Sequence, residues 1–342
     1  MKKRILITGA GGYIGSKMVE MLLALEYKVI ALDRFFFGDV LDDLKANKNL
    51  SIVKDDIRFF KKELLNKIDI VIDLASISND PAANLNHQIT KDINYKGALR
   101  VAKLSKEMGV KRYILSSTCS VYGCGNGLLN EDSMLAPISE YSKSKMNAEK
   151  ETLRLSSKNF SVTCLRNGTV YGLSKKRMRF DLIVNIMTLN AWRDNRIFIF
   201  GGGKQWRPHI HIDDCINAFL KVAEEEDIKK IGGQIFNVGS NDQNFQVFQV
   251  ANKYKKYFPN IIFDEVPNDL ERRDYMVNFS KISTALGFRT KKVIEDGIEE
   301  ILNALEKGQV VDDIKTSTLQ YYQYLINSNK ILESVKLKGK LF

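Results

Sequence analysis

Arg4-Ile5-Leu6-Ile7-Thr8-Gly9-Ala10-Gly11-Gly12-Tyr13-Ile14-Gly15 is the stretch that decides the fold. The aliphatic run Ile5-Leu6-Ile7 reads as a strand, and residues 14–25 carry apolar positions at helical spacing. Four glycines lie within the seven residues between Gly9 and Gly15. The order is strand, tight turn, helix. Gly9, Gly12 and Gly15 let the backbone turn sharply, approach a ligand and pack the helix on the strand, and the helix N-terminus offers free N–H groups to a pyrophosphate. The spacing is G-x-x-G-x-x-G, one residue away from the usual dinucleotide fingerprint, and no Gly-Lys-Ser/Thr triplet closes a P-loop.

Further strands follow at residues 28–32, 51–54, 69–76, 112–117 and 161–166, with helices between them at about 85–108 and 139–155. Each strand is nearly continuous in apolar residues, so the alternation predicts a parallel sheet covered on both faces. Ligands bind beyond the carboxyl ends of such strands. Asp33, Asp56, Ala75 and Ser117 all fall there. Asp33, 18 residues past Gly15, is placed to accept hydrogen bonds from ribose hydroxyls and to repel a 2′-phosphate, while Arg34 beside it offsets part of that repulsion. From residue 172 the alternation weakens. A strand at 234–238, a helix at 293–306 and a tyrosine-rich helix near 317–326 follow, and the last dozen residues read as a tail or an interface arm.

Tyr141 and Lys145 stand four apart on the 139–155 helix and project from one face. A phenol titrates near 10, and an adjacent ammonium favours its phenolate, so the pair makes a general base. Thr118, at the end of the fifth strand, is placed to hydrogen-bond a substrate hydroxyl beside Tyr141. Composition bounds the rest. The 342 residues, 44% of them hydrophobic, can bury one large core or two modest ones. The apolar run at 18–25 is broken by Glu20, so no membrane span is expected, and the chain is read as cytoplasmic. Four cysteines without a C-x-x-C pair and three histidines argue against a metal site or a disulfide framework. The net charge of +11 comes mostly from scattered lysines, with short clusters at 54–67, 175–179 and 253–256, which a solvated surface or an anionic substrate explains at least as well as nucleic acid.

The sequence resembles the extended short-chain dehydrogenase/reductase family, in its NAD-dependent nucleotide-sugar epimerase/dehydratase group. The likeness rests on residues 8–15, Asp33, Asp56-Ile57, Leu74-Ala75-Ser76, Ser116-Ser117-Thr118 with Val121-Tyr122-Gly123, Tyr141 to Lys145, residues 201–214, Phe236-Asn237-Val238-Gly239 and Leu286-Gly287-Phe288. It implies an α/β fold: a doubly wound Rossmann domain at 1–172 with returning segments at about 211–240, a smaller mixed substrate lobe at 173–210 and 241–310, and a C-terminal helix and tail at 311–342. It implies NAD, held by Gly9, Gly12, Tyr13, Ile14, Gly15, Asp33, Arg34, Asp56, Ile57, Leu74, Ala75, Ser76, Ser116, Tyr141 and Lys145.

By the same resemblance Thr118, Tyr141 and Lys145 form a catalytic triad that oxidises the C4 hydroxyl of a nucleotide-diphosphate sugar, in a homodimer. The outcome is a 4-epimerase or, alternatively, a 4-dehydrogenase or 4-ketoreductase. A 4,6-dehydratase is disfavoured because Cys119 and Ser120 stand where that reaction needs carboxylic acids, and Cys119 is read as a packed thiol. A non-enzymatic binding protein is disfavoured because Tyr141 and Lys145 are both present. Ser117 and Thr169 would face the substrate. Arg179, Arg207 and Arg272 or Arg273 are candidates for its diphosphate, since a guanidinium grips phosphate oxygens in bidentate fashion.

Overall fold

In the computed structural model, which describes residues 2–266 and 273–341, the apolar runs become one seven-stranded parallel sheet. Its strands are β1 (Arg4–Thr8), β2 (Lys28–Asp33), β3 (Leu50–Lys54), β4 (Ile70–Asp73), β5 (Arg112–Thr118), β6 (Ser161–Asn167) and β7 (Gln234–Val238). The spatial order is β7-β6-β5-β4-β1-β2-β3. The winding therefore reverses between β1 and β4, and the loops leaving these two strands diverge and open a crevice above their carboxyl ends.

The continuous apolar character of the strands has a direct cause. Along β1, Ile5 and Ile7 point into one core and Leu6 into another, and all three are fully buried. The longer helices are α1 (Tyr13–Ala24), α2 (Ala98–Glu107), α3 (Glu140–Leu153), α4 (Ile183–Asp194), α5 (Ile212–Glu224), α6 (Ile294–Glu306) and α7 (Thr318–Val335). Met18, Val19 and Leu22 of α1 and Cys215, Ile216 and Phe219 of α5 fill the first core. Val101 and Ala102 of α2 and Ala148 of α3 fill the second. Beyond the strand ends, short pairs such as Thr169–Tyr171 with Trp206–His211, and Arg196–Phe200 with Ile262–Val266, enclose a further core around Val184, Ile197, Tyr254 and Ile298.

Three boundaries differ from the sequence reading. β4 stops at Asp73, not at residue 76, because Leu74 N and Ala75 N turn onto the Thr8 carbonyl (3.1 Å) and hydroxyl (3.2 Å), which peels the chain away from the sheet. The helix of two halves expected at about 85–108 starts earlier and has more pieces: Asn79 caps a short turn at Asp80–Ala83, Asn86 caps His87–Lys91, and a wider π turn at Asp92–Gly97 leads into α2. α7 runs on to Val335, nine residues past the end expected near residue 326.

α3 starts where a capping box forms: Ser139 Oγ accepts from Ser142 N and Ser142 Oγ from Ser139 N, both at 3.1 Å. Its C-terminal half is tied to β6 by a buried ion pair. Arg166 Nε and a terminal nitrogen donate to Glu149 at 3.0 and 2.8 Å, and the Ser117 hydroxyl donates to the same carboxylate. Glu149→Gln leaves Arg166 charged and buried, and is expected to cost about 3–5 kcal/mol of folding free energy. Urea unfolding reads this as a lower midpoint; a shift worth less than about 1 kcal/mol would mean that the pair adds no more than a surface one.

Candidate functional site

The cradle at the end of β1 is built from backbone. Gly9 has φ +69°, and a Cβ there would lie 2.7 Å from Ala75 N. A Cβ on Gly15 would lie 2.1 Å from the Gly9 carbonyl oxygen, so only glycine lets α1 start this close to β1. The N-cap of α1 is Gly12, which has no side chain to bond the first-turn amides. Those amides are left for an anion.

Beside the cradle, the Asp33 carboxylate is fixed by Gly11 N at 3.1 Å and Phe35 N at 2.6 Å, and burial pushes its pKa up against those bonds. Arg34 donates to Asp56 at 3.1 Å and sits 4.6 Å from the Phe36 ring centre. Asp56 is also gripped by Arg58, at 3.0 Å from Nε and 2.8 Å from a terminal nitrogen, a partner that the sequence reading missed. Burial raises the Asp56 carboxyl, but the bonds from Arg58 outweigh it and hold the group at about 2. Asp56 therefore stays ionised and orients Arg34.

The opposite wall is formed by β5 and α3. Lys145 Nζ, almost fully buried, donates to the Ser116 carbonyl at 2.9 Å. Burial lowers its pKa to about 8, opposed by the buried Asp73 carboxylate, which itself accepts from Thr8 and Tyr113 at 2.5 Å each. Thr118 Oγ1 accepts from Ser120 N and donates to Ser120 Oγ, both at 3.1 Å. Tyr141 is raised to about 12 by burial and by the Asp80 carboxylate, against opposing contributions from Thr118, Arg179 and Arg273. The four-residue spacing carries no information on burial, which outweighs the lowering of the phenol expected from it.

Every candidate chosen from sequence that lies among the described residues lines one cavity of about 950 Å³. Gly9, Gly12 to Gly15, Asp33 and Arg34, Asp56 and Ile57, and Leu74 to Ser76 form one end, and Ser116 to Thr118, Tyr141, Lys145, Thr169, Arg179, Arg207 and Arg273 the other. Arg272 lies outside the described residues. The Ser117 hydroxyl turns to Glu149 rather than into the cavity. Arg179 is clamped by Asp181 at 2.8 and 3.0 Å and donates to Ser78 at 3.1 Å. Arg273 pairs with Asp80 at 2.7 Å, and Arg207 donates to the carbonyls of Trp206 (2.7 Å) and Arg273. Asp80 and Asp181, which bind these arginines, were not singled out from sequence; an acidic residue carries no local sign of an arginine that reaches it from a distant segment.

The Cys119 thiol is buried, donates to the Arg166 carbonyl at 3.2 Å and has its pKa pushed up by burial. His209 packs between Tyr171 and Phe245, and burial lowers it to about 4. His211 Nε2 lies 2.7 Å from Glu300, and His211, Asp213 and Glu300 converge within 4.8 Å, with Lys17 Nζ already 2.6 Å from Asp213. No described helix is long and apolar enough to cross a membrane.

The glycine cradle, the uncapped α1 amides, the Asp33 carboxylate and a buried Arg177 whose Nε has no partner fit a dinucleotide. Comparison with known proteins agrees. Residues 5–239 match the model of the NAD dependent epimerase/dehydratase family. The UDP-glucuronate 4-epimerase of Thermodesulfobacterium geofontis is 27% identical over 327 residues, covering 91% of this chain and 98% of that one. The UDP-N-acetyl-alpha-D-glucosaminuronate decarboxylase of Bacillus cytotoxicus is 27% identical over 290 residues, covering 78% and 88%. The structure of the UDP-glucuronic acid 4-epimerase from Bacillus cereus, in complex with UDP-glucuronic acid and NAD, superposes with a TM-score of 0.80 at 25% identity, covering 89% and 99%. The chain belongs to the NAD dependent epimerase/dehydratase family and is an NAD-dependent enzyme.

Proposed function

We propose that the protein is a nucleotide-sugar 4-epimerase, which oxidises the C4 hydroxyl of a nucleotide-diphosphate sugar and reduces the resulting ketone from its other face. One observation carries this reading. Thr118, Tyr141 and Lys145 share a wall of the cavity that begins at the glycine cradle, and the positions after Thr118 hold only a buried thiol and a hydroxyl. Loss of water across C5 and C6 needs further acid and base groups, which Cys119 and Ser120 do not supply.

When bound, NAD supplies the hydride acceptor and donor and a cationic ring. Tyr141 takes the C4 hydroxyl proton and gives it back after the ketone has turned. Lys145, fixed on the Ser116 carbonyl, holds positive charge near the phenol against the burial that raises it. Thr118, oriented by Ser120, hydrogen-bonds the sugar hydroxyl beside Tyr141. Near Tyr141 the carboxylates of Asp80 and Asp181 are held by Arg273 and Arg179, while Lys145 and Arg207 add positive charge at the same end of the cavity.

The purified chain should be mixed with UDP-, GDP- and dTDP-hexoses without added cofactor and followed by NMR. Appearance of the C4-inverted sugar is expected. Accumulation of a ketose with enzyme-bound NADH, and no inverted sugar, would replace this reading with a dehydrogenase.

A further inference from the structure

Residues 172–179 run along the first turns of α1 and are tied there on several atoms. Tyr13 Oη donates to the Gly172 carbonyl at 2.5 Å, Lys17 Nζ to the Leu173 carbonyl at 2.8 Å, and Ser174 Oγ to the Tyr13 carbonyl at 3.1 Å. Arg177 is thereby carried into the wall of the cavity that also holds Gly12 and Gly15. The side chain is 4% exposed. Its guanidinium lies 3.7 Å from the Phe37 ring centre, and its terminal nitrogens donate to the Met178 carbonyl and, at 3.3 Å, to Thr318 Oγ1. Nε has no partner, and the carboxylates of Asp181 and Asp313 favour the charged group from beyond hydrogen-bond distance, against the neighbouring Arg179.

Such a guanidinium is costly to bury, and burial lowers its pKa only to about 10, so it remains charged at neutral pH. An anion arriving in the cavity would relieve that cost, and a guanidinium matches phosphate oxygens in geometry as well as charge. The supporting ring is held in turn. Phe37 is flanked by Tyr321 at 5.3 Å and Tyr322 at 5.7 Å of α7, and Tyr322 and Thr318 line the same cavity.

We propose that Arg177 binds the diphosphate of NAD across from the N-terminus of α1, and that α7, through Thr318 and the Phe37 stack, holds the arginine in position. The inference rests on NAD occupying this cavity and is independent of the C4 chemistry.

The test uses the full chain stripped of nucleotide, with calorimetric titrations of NAD, ADP, adenosine and UDP into wild type, R177Q and R177K. R177Q is expected to weaken NAD and ADP by roughly ten- to hundredfold, since a charge-assisted bond is lost. R177K should weaken them less, with adenosine affinity unchanged in both. Equal losses for adenosine and ADP would overturn the proposal in favour of a purely structural arginine. Weakened UDP with unchanged NAD would overturn it in favour of the substrate's diphosphate. Should R177Q fail to fold by circular dichroism, R177K decides by the same ratio of ADP to adenosine affinity.

Discussion

Tyr141→Phe is expected to lower kcat by about 10²–10⁴-fold while the protein keeps its fold and its NAD, because general-base catalysis is typically worth that factor and the ring keeps its packing. Only the hydroxyl proposed to take the C4 proton is lost. In the ligand-free protein burial holds Tyr141 at about 12, so the phenolate fraction rises with pH throughout the neutral range. The wild-type kcat/KM should therefore climb with pH and level off above the phenol pKa that Lys145 and the bound cofactor set. Lys145→Met removes one of those cations, and its profile should go on climbing after the wild type has levelled off. Steady-state rates across pH, with NAD content measured after acid release, check both statements. A Tyr141→Phe enzyme within a factor of two of wild type would place the base elsewhere.

Gly15→Ala is expected to have the second large effect, on folding and cofactor retention together. The new Cβ would stand 2.1 Å from the Gly9 carbonyl oxygen, a backbone atom that cannot rotate aside. α1 must then move off β1, at about 1–3 kcal/mol or more for an overpacked contact, and its N-terminal amides leave the position where they meet a pyrophosphate. Gly12→Ala provides the contrast, since its Cβ would meet the same oxygen at 3.1 Å, where a small shift suffices. Thermal melting and NAD content of the purified variants should rank wild type first, Gly12→Ala next and Gly15→Ala last. Equal NAD content in all three would show that the close approach of α1 is not what forms the cradle.

Much of the nucleotide half was legible because its cause is local. A strand covered on both faces must be apolar at every position, and β1, β2 and β5 announce themselves in that way. Their carboxyl ends then point to Gly9, Asp33 and Thr118 without any knowledge of packing. β4 was misjudged at its end because the turn at Leu74 is set by Thr8, a residue 66 positions earlier. The substrate end was less legible for the same kind of reason. Arg273 meets Asp80 across 193 residues, and Arg177 meets Thr318 across 141. In the sequence Arg177 is one cation beside Lys175, Lys176 and Arg179, and α7 a tyrosine-rich closing helix. Only their meeting over Phe37 makes them part of the cavity wall.

The claim on which the functional reading stands is that hydride leaves C4 and returns to C4 within one active site. It is tested most directly by offering the enzyme a nucleotide hexose deuterated at C4 and locating the label by NMR. The expected result is deuterium retained at C4 of the inverted sugar, with no exchange into solvent. Deuterium recovered in released NADH, or an inverted sugar with its C4 label replaced by solvent hydrogen, would contradict it.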